Sequence, residues 1–239
     1  MIHKILFAGI DGSGKSTCLD LLISRLDSKY STIKIGEHRC AKTGLWENDP
    51  HIFFKGEKKL YIKDRFSRIM ANIRPISKRY HFYGIFLISN FFYKYLLAKY
   101  VELFKKCDLI MCDPDILLHP AVYITYHLPF TGKIKNTVRF HLVRILFGSK
   151  RKCSIFYLDT EPETAMKRIQ NRGADIHEHE NPGDLYELKK KFDDMVEVAR
   201  KNGFRIFRIN TNKRGLDEVV DDIEIILDNE LSTVDQIGE

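Results

Sequence analysis

Gly9-Ile10-Asp11-Gly12-Ser13-Gly14-Lys15-Ser16 sets glycines, a lysine and a hydroxyl in the spacing G-x-x-x-x-G-K-[ST]. This is chemistry for a polyphosphate. Glycines let backbone N–H groups turn toward one anion, and a helix beginning near Lys15 adds its positive end. Lys15 can then reach the outer phosphates, while the Ser16 hydroxyl can hold Mg²⁺. The second metal ligand comes from Leu109-Ile110-Met111-Cys112-Asp113, an apolar run ending in an acid. At the end of a buried strand, Asp113 would sit beside the loop and hold a Mg²⁺ water shell, since Mg²⁺ prefers one or two carboxylates plus phosphates. A cap or turn role for Asp113 is the plainer alternative, and the strand placement favours the metal. The candidate nucleotide-binding set is Gly9, Asp11, Gly12, Ser13, Gly14, Lys15, Ser16 and Thr17, with Ser16 and Asp113 as metal ligands.

Positioning these groups requires a strand before the loop and a helix after it. Ile5 to Phe7 is short, apolar and bounded by Gly9, and Leu19, Leu22, Ile23 and Leu26 recur at helical spacing. Ser31 to Ile35 alternates as a second strand would and ends at Gly36-Glu37-His38-Arg39. Residues at the carboxyl end of such a strand line the ligand crevice of an open α/β sheet. Glu37 and Arg39 are thus acceptor-site candidates, although Arg39 reads equally well as a surface cation. Residues 44 to 107 read mostly as helices. Ile62, Phe66, Ile69 and Ile73 form one stripe up to Pro75, with Arg65, Arg68 and Arg74 on other faces. A second long helix carries Phe86, Leu87, Leu96, Leu97, Val101 and Phe104. The aromatic residues around it serve either helix packing, the favoured reading, or stacking against an acceptor base.

Beyond Asp113, Leu117 to Tyr123 suggests buried structure, and Val138, Leu142 and Ile145 mark a helix amid Lys133, Lys135, Arg139, Arg144, Lys150, Arg151 and Lys152. Such a basic run is usually a solvated face, and it could also receive an anion. Ser154 to Asp159 is the fourth strand. Thr160-Glu161-Pro162-Glu163 has the form of a capping box with proline in the first turn, opening a helix that ends near Gly173 with Arg168 and Arg172 on one face. In the loop that follows, His177-Glu178-His179-Glu180 alternates, which points side chains apart, and no cysteine is near. A solvated loop is therefore expected rather than a metal site. A helix with Leu185, Leu188, Phe192, Met195 and Ala199, a strand from Phe204 to Ile209, the turn Asn210-Thr211-Asn212 and a last helix from about Leu216 complete the chain, with a loose polar tail from Ser232.

With 239 residues, 44% of them hydrophobic, the chain can bury a full α/β core as one domain. Five scattered cysteines without a C-x-x-C pair, and no secretory leader before Ile5, point to a reduced cytoplasmic setting. The apolar run from Tyr83 to Phe92 falls short of the roughly 20 residues of a bilayer span, so no membrane span is expected. A formal charge of +7 suits nucleic acid, a membrane surface or several phosphates, and decides little alone.

Phe7-Ala8-Gly9-Ile10-Asp11-Gly12-Ser13-Gly14-Lys15-Ser16-Thr17 resembles the opening of the thymidylate kinase family, F-E-G-x-D-G-x-G-K-S-T, with Ala8 in place of Glu. The resemblance gives Asp11 a role facing the acceptor's sugar. Y-L-D-T-E-P-E-T-A-M-K-R-I-Q-N-R-G, from Tyr157 to Gly173, resembles the family's L-D-x-x-P-E-x-A-x-x-R-x-x-x-R-G. It implies that Arg168 and Arg172 belong to a lid over the transferring phosphate, spanning about 168–183, and that Thr211 lies over the adenine. Near the family's T-R-E-P-G-G-T, Glu37 falls on the Glu while Gly36 stands in place of the Arg. Where the family continues D-R-Y, this chain reads Asp113-Pro114-Asp115.

The resemblance implies a three-layer α/β sandwich around a five-stranded parallel sheet, of the P-loop nucleoside monophosphate kinase type, in a single domain with a helical insertion at about 44–107. The implied reaction is Mg²⁺-dependent transfer from ATP to a small acceptor, a nucleoside monophosphate. Lys15, Glu37, Arg168 and Arg172 are its catalytic candidates. The competing readings are a kinase of a nucleoside or another metabolite and a nucleotide-binding regulatory protein with little turnover. Nucleic acid is not the expected partner, because no aromatic-basic motif of a known module is present. A homodimer is a candidate assembly.

Overall fold

A computed structural model of the chain describes residues 2–36, 38–39, 46–47, 50–53, 60–61, 83–104, 107–113, 116–127, 141, 153–172 and 180–236. The elements run β1 His3–Ala8, α1 Lys15–Leu26, β2 Thr32–Gly36, β3 His38–Arg39, β4 Trp46–Glu47, β5 Pro50–Phe53, β6 Leu60–Tyr61 and α2 Tyr83–Phe104. They continue β7 Leu109–Asp113, α3 Leu118–His127, β8 Cys153–Asp159, α4 Pro162–Asn171, α5 Pro182–Lys201, β9 Arg205–Asn210 and α6 Leu216–Gln236.

Apolar strand residues of both parities explain the layers. Ile5, Phe7, Leu109, Met111, Phe156 and Leu158 pack with Leu19, Leu22 and Leu26 of α1 and Val220, Ile223 and Leu227 of α6. Their alternate neighbours Leu6, Ala8, Ile110, Cys112, Ile155 and Tyr157 pack instead with Ala98 and Val101 of α2, Leu118 and Val122 of α3, and Leu188, Phe192 and Met195 of α5. A period of two thus sends successive side chains to opposite helical layers, and a sheet covered on both faces is the setting of parallel strands. Its order is β6-β5-β2-β7-β1-β8-β9. The five strands β2, β7, β1, β8 and β9 are parallel throughout, with Leu6 beside Cys112 on one flank and Ile155 on the other.

The expected parallel five are all present, and the sheet continues past them. β5 and β6 add to its edge in antiparallel fashion, Ile33 pairing with Ile52 and His51 with Tyr61. The helical expectation for 44–107 therefore fails at 46–47, 50–53 and 60–61, where two- to four-residue strands are too short to show a period and form by pairing with a neighbour. A helix runs over Tyr83–Phe104 as expected, and the proposed stripe Ile62 to Ile73 lies outside the described residues. Ser232 to Gln236 is also no loose tail but the last turn of α6. Along α2 the residues Phe92, Leu96, Tyr100 and Leu103 remain exposed. Among the described residues no helix is long and apolar enough to cross a membrane.

Two polar clusters brace the sheet. At the carboxyl end of β8, Lys189 donates to Asp159 at 2.6 Å and Asp193 at 3.2 Å, and Arg208 closes the ring to the same two acids at 2.7 and 2.5 Å. Burial pushes the Asp159 carboxyl up, but the bonds and charges of Lys189 and Arg208 outweigh it and hold the group below the usual carboxylate range. At the opposite end His3 Nε2 meets Ser154 Oγ at 2.9 Å, and burial chiefly holds its imidazole below the ordinary histidine value.

Both shifts carry the same sign. The unfolded chain takes up each proton first, so stability falls as pH drops, from about 6.5 downward through His3 and below about 4 through Asp159. The thermal midpoint should therefore decline between pH 7 and 5, and His3→Gln should flatten that interval while leaving the steeper acid limb. An equally steep decline in His3→Gln would contradict the assignment.

Candidate active site

The loop between β1 and α1 turns on glycines with positive φ. Gly14 caps α1 at φ +93°, and Gly12, at φ +78°, lies so close to α4 that a Cβ there would stand 2.5 Å from the Ala165 carbonyl oxygen. L side chains disfavour this left-handed region, so the glycines fix both the curve of the loop and its contact with α4. Lys15 is largely buried, and its ammonium donates to the Gly9 and Ile10 carbonyls at 2.9 and 2.8 Å. Burial pushes the thiol of Cys18, one turn into α1, up to about 11, leaving it a packed thiol rather than a nucleophile.

The parallel register of β1 and β7 brings Asp113 to the loop. Ser16 Oγ donates to Asp113 Oδ2 at 2.5 Å across 97 residues of sequence, and Asp113 is buried. Among the described residues no cluster of three His, Cys, Asp or Glu could hold a metal by itself. One hydroxyl and one carboxylate, both hard oxygen donors beside a phosphate loop, fit Mg²⁺, which takes its remaining ligands from water and phosphates. Thr17 lies exposed in the first turn of α1.

Asp11 meets a residue of another element. Its carboxylate accepts from the Tyr123 hydroxyl at 3.0 Å. Tyr123, on α3, is stacked on His119 with centroids 5.3 Å apart, and both rings meet Phe192 of α5 edge-on. In the sequence Tyr123 reads only as part of a buried segment. The partner that singles it out is 112 residues away.

The two arginines of α4 have separate partners. Arg168 donates to the Ser13 carbonyl at 3.3 Å, to Thr211 Oγ1 at 3.2 Å and to the Thr211 carbonyl at 2.7 Å, tying the phosphate loop to the turn after β9. Thr211 Oγ1 also meets Thr160 Oγ1 at 2.5 Å. The expected capping box does not form, because α4 starts one residue later than the pattern predicts. Glu161 is the N-cap of α4 and makes no side-chain cap bond, with Pro162 in the first turn. Arg172, at the C-cap, donates to both carboxylate oxygens of Glu180 at 2.7 and 2.6 Å. Glu180 is 2% exposed, which corrects the expectation of a solvated position there. Gly36 is in register with Asp113, two strands' ends side by side. Glu37, Pro114, Asp115, the basic run 133–139 and 144–152, and 173–179 lie outside the described residues.

The structure thus gathers Asp11, Ser13, Lys15, Ser16, Asp113, Arg168 and Thr211 at the carboxyl ends of β1, β7, β8 and β9. Loop, sheet and helices together define a P-loop fold of the nucleoside monophosphate kinase type. No family model matches the chain. A thymidylate kinase of Coprothermobacter proteolyticus is 24% identical over 207 residues, covering 84% of this chain and 87% of that one. Among solved structures, deoxyadenosine kinase from M. mycoides with products dCMP and a flexible dCDP bound superposes with a TM-score of 0.57 at 15% identity, over 95% of this chain and 99% of that one. Thymidylate kinase from Ehrlichia chaffeensis gives 0.56 at 16% identity, over 95% and 98%. The chain is thus similar in sequence to that thymidylate kinase and in fold to both solved kinases.

Proposed function

We propose that the chain transfers the γ-phosphoryl group of ATP to a nucleoside monophosphate. The observation that carries this reading is the 2.5 Å meeting of Ser16 and Asp113 beside the Lys15 ammonium, a metal-and-phosphate constellation drawn from two strands. Mg²⁺ held there would neutralise charge on the β- and γ-phosphates. Lys15 exchanges its loop carbonyls for phosphate oxygens, and the glycine loop presents its N–H groups. The acceptor oxygen attacks γ-phosphorus as the bond to the bridging oxygen breaks, so positioning and charge neutralisation are the chain's main contributions. Arg168 fixes the loop against the Thr211 turn over which the base would lie. Asp11, aligned by Tyr123, faces the acceptor's sugar, and Glu37 is the further acceptor-side candidate that the resemblance names. The working unit is residues 1–239 as one kinase domain, its lid at about 168–183. Five scattered cysteines without a C-x-x-C pair suit the cytoplasm.

A nucleoside acceptor is the second reading, and a specific observation favours it. Gly36 stands level with Asp113, and Pro114 follows, where the resemblance calls for arginines facing an acceptor phosphate. A monophosphate brings about two negative charges toward ATP, and neither Gly nor Pro can offset them. Thymidylate should accordingly be a poor substrate unless Arg39, Arg65, Arg68 or Arg74 supplies the charge. ADP release measured across nucleosides and nucleoside monophosphates tests both readings. A thymidylate kcat/KM within the ordinary range of about 10⁴–10⁸ M⁻¹s⁻¹ would contradict the expectation. No turnover with any acceptor, with ATP binding intact, would favour a regulatory nucleotide binder.

A further inference from the structure

The parallel pairing of β8 with β9 ends at Asp159 beside Asn210, which makes Thr160 and Thr211 the first residues beyond the two strands. Both are buried, at 1% and 2% exposure, and their hydroxyls meet at 2.5 Å. A buried hydroxyl needs a partner, and here each threonine supplies one to the other. Thr211 carries a second bond. A guanidinium only donates, so Thr211 Oγ1 accepts from Arg168 Nη1 at 3.2 Å, and the same nitrogen donates to the Ser13 carbonyl of the phosphate loop at 3.3 Å. The contacts Thr160–Thr211–Arg168–Ser13 therefore run unbroken from the end of β8 to the phosphate loop. Two other bonds, from Thr211 N to the Asp159 carbonyl at 3.1 Å and from Glu161 N to Asn212 Oδ1 at 2.8 Å, hold the turn after β9 but do not reach Arg168. Thr160 acts on the Thr211 side chain itself, and so on the acceptor offered to Nη1. It falls on an unspecified position of L-D-x-x-P-E, so the resemblance assigns it no role.

We infer that Thr160 is a positioning residue that couples the two halves of the donor site: its hydroxyl holds Thr211 toward Arg168, and Arg168 then keeps the phosphate loop in register with the turn after β9. This rests on the reading above, in which the base of ATP lies over Thr211 and its phosphates on the loop. A ligand that spans two subsites makes its second contact intramolecularly, and that gain depends on the spacing between them. A ligand that fills one subsite gains nothing from the spacing.

Thr160→Val keeps the branched shape and removes the hydroxyl. In calorimetric titrations with Mg²⁺ present it should weaken ATP about 3- to 10-fold, the scale of one net hydrogen bond. Inorganic tripolyphosphate, which has neither base nor sugar, should change less than about twofold in the same variant. A role in stability alone would lower the thermal midpoint and spare both ligands. Thr160→Ser, which keeps the hydroxyl, should bind ATP within about twofold of wild type, and Thr160→Val made in a Thr211→Val background should add less than about twofold, because the bond is already gone. Wild-type ATP affinity in Thr160→Val, tripolyphosphate weakened in the same proportion as ATP, or a full further loss in the Thr211→Val background would each overturn the coupling. If Thr160→Val does not fold, Thr160→Ala carries the same comparison. Failure of the kinase reading shows separately, because the titrations need no acceptor: wild-type protein that binds ATP yet phosphorylates no acceptor removes the transfer, while the ratio of ATP to tripolyphosphate losses still decides the coupling.

Discussion

Lys15→Ala should bind ATP roughly 10- to 150-fold more weakly than the wild-type chain and lose most of its turnover. The affinity range corresponds to about 1.5–3 kcal/mol for a lost hydrogen bond to a charged group. The structure explains why no neighbour restores it. The Lys15 ammonium reaches the loop from inside, donating to Gly9 and Ile10 carbonyls, so the cation and the backbone that would cradle phosphate are one unit. Arg168, the nearest described guanidinium on the loop, is already bonded to Ser13 and Thr211. Calorimetric ATP titration and initial rates provide the check. Unchanged affinity and turnover would remove the phosphate-loop assignment.

Gly12→Ala should be the most damaging glycine-to-alanine change among the described residues. Its φ of +78° is a conformation that costs an L residue about 1–2 kcal/mol, and the added Cβ would stand 2.5 Å from a backbone oxygen of α4 and 3.0 Å from Ile169 Cγ1. Neither the strain nor the overlap can be relieved by a flexible side-chain tip. Either the loop leaves the curve that aims its N–H groups, or α4 moves away and takes Arg168 with it. A displacement of about 1 Å suffices for a 100-fold loss of rate, so kcat/KM should fall by about that factor along with the thermal midpoint. Gly183→Ala makes the internal control. Its Cβ would lie 3.4 Å from Asn181 Oδ1 and needs no positive φ, so activity should stay within about twofold. Equal activity in the two variants would show that the Gly12 contact does not shape the site.

The parts of the site that sequence revealed are those written contiguously. Lys15 and Ser16 sit inside one motif, and Asp113 ends an apolar run that favours a central strand over a cap or turn. Tyr123 and Glu180 were not legible, because what gives each its place is a partner brought near by topology: Asp11 from another strand's end, and Arg172 from another helix. Thr160 shows the opposite failure. Its local pattern fits a cap, but α4 takes Glu161 as its N-cap, and the Thr160 hydroxyl meets Thr211 in the turn after the neighbouring strand. The edge strands β5 and β6 were hidden for a third reason, since β5 takes its register from β2 and β6 takes its register from β5, not from any period of their own.

The central claim is phosphoryl transfer by the Lys15, Ser16 and Asp113 constellation. ATP labelled in its γ-phosphate, incubated with the purified chain and a panel of nucleosides and nucleoside monophosphates, tests it most directly. The expected result is label on at least one acceptor, dependent on Mg²⁺ and lost in Asp113→Ala while the fold persists. Label that stays on ATP or appears only as free phosphate, for every acceptor and with Mg²⁺ present, would contradict it.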